Sequence, residues 1–201
     1  MTFDIIKLNT TVNIHKLKDY YNTVKLEHDD LRWHSGIVDW KDCNFAIGEG
    51  YNIKNIYGWQ IDTDFDDIKI PNAPYDTTKN RNPYFKETKL NFGYVNLIKN
   101  HFYMAEGKAL TVMPPRSSLG THIDYHDFYK IHIPIISDSN FIFTIDEKQK
   151  TMDADGSVYI LNTKLEHSVI NNGETDRAHL ILRFPIEMLD AVIALEGYID
   201  S

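Results

Sequence analysis

Five of the chain's nine histidines, His122, His126, His132, His167 and His179, fall within one stretch, and the only cysteine is Cys43. With thiolate all but absent, imidazole and carboxylate are the strong metal ligands left to the chain. His122 and Asp124 form a His-x-Asp pair, and on a strand a period of two would put both side chains on one face. The pair carries no weight alone, because His28-Asp29-Asp30 supplies a second one. A later partner raises it: His167 opens another strand-like segment and can arrive from across a barrel. Two imidazoles and one carboxylate on a single face make the facial triad of non-haem Fe(II) oxygenases, which leaves positions for O2 and a co-substrate.

Further cations and imidazoles follow the same period. Arg177 and His179 share a strand face, and so do Lys130 and His132. Polar groups that point inward are costly unless they meet each other, a ligand or water, and a cavity holding a metal and an anion would reconcile them. Each residue also has a plain structural alternative. His122, Asp124 and His167 could be a hydrogen-bonded cluster without metal, and His132 and His179 satisfied core histidines. Arg177 could pair with Asp176 or Glu174 at the surface, and Lys130 could stand exposed beside Asp127. His28 is expected at the surface, His126 on the loop after Asp124, and Cys43 to be inert. Trp33, Trp40, Tyr51, Tyr57 and Trp59 are expected mostly in core or loop packing.

The elements that must position these groups are short. After residue 105, strands are expected at Lys108–Met113, Leu119–Ile123, Tyr129–Ile135, Phe141–Ile145, Gln149–Met152, Ser157–Leu161, His167–Ile170 and Arg177–Phe184. Turn formers such as Asp153-Ala154-Asp155-Gly156 and Asn171-Asn172-Gly173 separate them. The gaps are too short for the crossover helices of a parallel α/β fold, so a double-sheet jelly roll or closed barrel is expected. Before it, Phe3–Leu8 reads as a strand. Asn13 then caps a helix carrying Ile14, Leu17, Tyr20 or Tyr21, and Val24. After Pro185, a closing amphipathic helix is expected up to Gly197. The chain thus divides into an N-terminal α/β elaboration (1–105), a β core (106–184) and a C-terminal helix (185–201) within one domain.

At 201 residues, with 42% hydrophobic and 25% charged residues, the chain suits one globular domain. No apolar run is long enough for a membrane span, and the acid in Met-Thr-Phe-Asp does not suit a signal peptide, so a cytoplasmic location is expected. A net charge of −8 argues against broad nucleic-acid binding.

Residues 108–184 resemble the aspartyl/asparaginyl β-hydroxylase and proline hydroxylase group of Fe(II)/2-oxoglutarate dioxygenases. The resemblance rests on Leu119-Gly-Thr-His122-Ile-Asp124, Lys130-Ile-His132-Ile-Pro134, Gly156-Ser-Val-Tyr-Ile-Leu-Asn162, His167-Ser-Val-Ile-Asn171-Asn-Gly173 and Arg177-Ala-His179-Leu, in that order. It implies a double-stranded β-helix, a jelly roll of cupin-like type. It also implies iron held by His122, Asp124 and His167, and 2-oxoglutarate bound at its far carboxylate by Arg177. Lys130 stands where related sequences often have Arg, and His132 and His179 would face the co-substrate or stand behind it. Arg116 replaces the glycine of a Pro-Gly turn, which leaves open whether it alters a loop or binds substrate. The implied activity is hydroxylation of an amino acid, free or in a peptide, at an Asp, Asn or Pro side chain, with O2 consumed and succinate and CO2 released. Two alternatives use the same barrel: a cupin-like metal or small-anion binding or sensor protein without turnover, and a metal-dependent isomerase or lyase.

Overall fold

The computed structural model describes residues 3–27, 34–35, 54–57, 59–61, 85–87, 93–105, 107–113, 115–124 and 127–200. The chain opens with β1 (Ile5–Val12) and α1 (Ile14–Glu27). Short strands β2 (His34–Ser35), β3 (Lys54–Tyr57), β4 (Trp59–Ile61) and β5 (Phe85–Glu87) precede α2 (Tyr94–His101). Then come β6 (Gly107–Met113), β7 (Ser117–His122), β8 (Phe128–Ile136), β9 (Phe141–Ile145), β10 (Lys148–Lys150), β11 (Ser157–Leu161), β12 (His167–Asn171) and β13 (Arg177–Pro185). A 3-10 turn (Ile186–Met188), α3 (Leu189–Ile193) and β14 (Gly197–Ile199) close the chain.

Strands β6 to β13 fall in two sheets, crossing between them except at the β9–β10 hairpin, with β11-β8-β13-β6 in one and β10-β9-β12-β7 in the other, all antiparallel. That order is a double-stranded β-helix. The first sheet is extended by β1 and β14 on one side and by β3 and β2 on the other.

The large sheet is buried on both faces, and the period of two sorts its side chains. Ile131, Ile133 and Ile135 of β8 join Ala178, Leu180, Leu182 and Phe184 of β13 in one core, together with Val158, Ile160, Leu110 and Val112. Leu17 and Val24 of α1 and Val95 and Ile98 of α2 complete that core, so the helices cover this face. The alternate residues Lys130 and His132, and Arg177 and His179, therefore face the barrel interior. A second, smaller core of Met113, Phe143, Ile145, Met152, Leu161 and Val169 fills the space between the sheets.

The ends of the chain brace the sheet. Asn13 caps α1 as expected, its Oδ1 accepting from the backbone N–H groups of His15 and Lys16 at 3.1 and 3.2 Å. Its Nδ2 donates to Asp200 at 2.7 Å, and the Tyr94 hydroxyl donates to the Ile199 carbonyl. The expected closing helix is shorter than its sequence pattern. Helix α3 ends at Ile193, and Gly197, at φ 121°, turns the chain into β14, parallel to β1. A pattern of apolar residues cannot show that the last of them pairs with a distant strand. The second helix, α2, was not expected either. It starts after Gly93, which takes a positive φ of 53°.

Gly156 locks β1 to β11. Its φ is 94°, a Cβ there would lie 2.4 Å from the Val12 carbonyl oxygen, and its own carbonyl accepts from Val12 N–H at 2.9 Å. Gly156→Ala is expected to lower stability by about 2–4 kcal/mol through left-handed strain and this clash. Urea denaturation of both proteins measures it, and a loss under about 0.5 kcal/mol would contradict this packing.

Candidate metal site and buried cation relay

His122 is the last residue of β7 and His167 the first of β12, and the two are directly opposite in the ladder. Their rings lie 4.2 Å apart, centroid to centroid. Asp124 reaches them differently from the strand geometry expected of His-x-Asp. The strand ends at His122, and the chain then folds back so that Asp124 N–H donates to the Thr163 carbonyl at 2.9 Å. The carboxylate stands 3.9 Å from His122 Nε2 through Oδ1 and 3.8 Å from His167 Nε2 through Oδ2. One ligand atom from each residue lies within 4.8 Å of the others, so the group can hold a metal ion.

The imidazoles are oriented for that task. His122 Nδ1 lies 2.8 Å from the Gly120 carbonyl and His167 Nδ1 2.9 Å from that of Leu165. A carbonyl can only accept, so each Nδ1 carries a proton and each Nε2, the atom left for a metal, faces Asp124. Phe143 stacks on His167, with centroids 5.7 Å apart and planes 10° from parallel. Burial pushes the His167 pKa down to about 4 despite the attraction of Asp124.

Asp124 is a charge out of water. Burial alone would raise its pKa, but Lys130, His167 and the Thr163 hydroxyl together hold it well below the usual carboxylate range. Lys130 Nζ sits 2.5 Å from Oδ2, so Lys130 faces the ligand set rather than standing exposed beside Asp127, which pairs with Lys164.

Deeper in the barrel, Arg177 is 3% exposed and His179 0%. The Arg177 guanidinium donates to His179 Nδ1 at 2.9 Å, and no described carboxylate is within ion-pair distance of it. Burial lowers its pKa only to about 10, so the cation persists at neutral pH. Because His179 Nδ1 accepts, its proton sits on Nε2, where it has no hydrogen-bond partner. His132 Nδ1 lies 3.3 Å from the same nitrogen, and the buried Nε2 of His132 has no hydrogen-bond partner among the described residues. Burial, and then the Arg177 charge, hold both rings neutral, with pKa values well below 6.5. His132 meets Phe143 edge-on at 6.1 Å, so a continuous row of rings links Arg177 to His167.

Arg116 is an exposed turn residue at φ 55°, paired with Glu174, which explains why a glycine would suit the position. His28, His126, Cys43, Trp33, Trp40 and Tyr51 lie outside the described residues, as do the side chains of Tyr57 and Trp59. Sequence reasoning missed Thr163, Phe143 and the carbonyls of Gly120 and Leu165. It also missed Asn171, which is fully buried and sets the turn before Arg177 through the Met113 and Thr175 carbonyls and Gly173 N–H. The Asn-Asn-Gly turn was the one available signal for it.

The sequence profile of the aspartyl/asparaginyl β-hydroxylase family matches residues 77–185. No curated protein matches the chain. Among solved structures, a predicted oxalate decarboxylase of Thermotoga maritima is similar at 25% identity and a TM-score of 0.35, over 43% of this chain and 73% of that one. The Schizosaccharomyces pombe Cnp3 cupin domain matches at 14% identity and a TM-score of 0.35, over 44% and 63%. A nickel complex of the non-haem monooxygenase ThoJ matches at 16% identity and a TM-score of 0.34, over 39% and 42%. No described helix is long and apolar enough to cross a membrane.

The buried neutral rings make stability depend on pH. Below the ordinary value of 6.5, the unfolded chain binds protons that His132, His167 and His179 refuse in the fold, His167 taking its own only near 4. Stability should therefore be full above pH 6.5 and fall on acidification, by up to about 1.4 kcal/mol per pH unit for each ring. Urea midpoints at pH 7 and pH 5 measure this, and equal midpoints would mean that the rings are charged in the fold.

Proposed function

The chain belongs to the aspartyl/asparaginyl β-hydroxylase family, and from that premise we propose that it is an Fe(II)- and 2-oxoglutarate-dependent dioxygenase acting on an amino acid or an amino-acid side chain of Asp, Asn or Pro type. The observation that carries this reading is one inner surface that joins two ligand imidazoles and a carboxylate to a buried guanidinium without a described carboxylate partner. A two-nitrogen, one-oxygen set with both Nε2 lone pairs turned inward fits Fe(II) and leaves one side open. The buried Arg177 guanidinium, which meets only a neutral imidazole among the described residues, suits the far carboxylate of a dicarboxylic co-substrate.

When bound, Fe(II) and 2-oxoglutarate would activate O2, one oxygen atom going into succinate as CO2 leaves and the other to the substrate. The chain's own residues position and protect. His122, Asp124 and His167 fix the metal, and their Nδ1–H bonds to backbone keep the rings from turning. Arg177 would orient the co-substrate by its far end, while His179 holds the guanidinium by accepting from it and packs against His132. Phe143, Leu161 and Val169 make the surroundings apolar and keep water out. Small-molecule amino acids or short peptides are the proposed partners, with O2.

Purified protein with Fe(II), ascorbate and 2-oxoglutarate should form succinate, faster when the right amino acid or peptide is added, and chelation of the metal should stop it. Absence of succinate across a panel of free amino acids and short peptides would favour a binding or sensor role on the same barrel. Arg177→Ala should weaken 2-oxoglutarate binding at least tenfold while leaving metal affinity within about twofold. Unchanged co-substrate affinity would place the anchor elsewhere.

A further inference from the structure

Lys130 stands apart from the other paired cations. Lys148 with Asp4, Lys164 with Asp127 and Arg116 with Glu174 are surface pairs. Lys130 instead meets Asp124 inside the ligand set, 2.5 Å from Oδ2, the oxygen that also faces His167 Nε2 at 3.8 Å. Its charge is felt by His167 and His132 as well.

Resting on the metal reading above, we infer that Lys130 competes with a divalent cation for Asp124 and keeps the metal affinity of the site low. Two imidazoles are neutral, so Asp124 and Lys130 leave the ligand set with a formal charge of zero. Lys130 also covers Oδ2, which leaves Oδ1, 3.9 Å from His122 Nε2, as the oxygen offered to a metal. Removing the ammonium restores a net negative charge and a second carboxylate oxygen. Loss of an orienting partner ordinarily weakens a metal site tenfold to a hundredfold. Here the partner is itself a cation, 2.5 Å from the carboxylate a dication would share, and at that range like-charge repulsion outweighs orientation and reverses the sign. Lys130 is a positioning residue in this account, acting through Asp124.

Calorimetric titration with Mn(II) and Co(II), without 2-oxoglutarate, tests this on the wild type, Lys130→Met and Lys130→Arg. Methionine keeps the length of the stem and removes the charge. Lys130→Met should bind at least tenfold more tightly than wild type, and Lys130→Arg within about threefold of it. Should the methionine variant fail to fold, Lys130→Gln makes the same comparison. Wild-type binding with no tightening in the neutral variant overturns the role of Lys130 and leaves the metal reading standing. Binding by neither protein overturns both. Unchanged metal affinity, with 2-oxoglutarate binding weakened in a second titration of the Mn(II)-loaded proteins, also overturns the inference, since Lys130 would then be an anion anchor.

Discussion

The rest of the interior depends on keeping one carboxylate ionised out of water. Asp124 is held by the Lys130 ammonium, and two imidazoles whose lone pairs can take a metal stand beside it. A buried anion without such company would be neutralised by a proton. The fold supplies that company from three places. His122 comes from the end of β7, His167 from the start of β12, and Lys130 from β8 in the opposite sheet. The chain after His122 turns back to the Thr163 carbonyl, and this one backbone bond brings the carboxylate to meet them.

The large sheet carries the second half of the arrangement. One face is a continuous apolar core against α1 and α2, and the other holds Lys130, His132, His179 and Arg177. A burial as complete as that of Arg177 is costly for a cation, and the single bond to a neutral imidazole does not supply a counter-charge. Such a group fits a site that takes an anion. The helices matter indirectly: by sealing the outer face, they let the inner face give up apolar packing for chemistry.

Much of this was legible in the sequence. Strands β9 and β11 lie where alternation and turn residues put them, and β8 and β13 exceed their expected bounds by one residue at each end or at one end. The sharing of a face by Lys130 and His132, and by Arg177 and His179, followed from a period of two. Asp124 shows the limit of that logic, because its approach to His122 depends on a tertiary bond to Thr163 that no local pattern encodes. The hairpin from β9 to β10 is similar: Asp146 and Glu147 both adopt positive φ, at 48° and 64°, without the Asn-Gly signal of such turns. Strand β14 and the Arg177–His179–His132 relay likewise arise from packing between distant segments.

On the proposed reading, one metal and one dicarboxylate occupy this inner surface together. Calorimetry of 2-oxoglutarate binding under anaerobic conditions, with and without Mn(II), tests it most directly. The account predicts one molecule bound per chain, with affinity at least tenfold higher when the metal is present. Equal affinity with and without metal, or no binding at all, would contradict it.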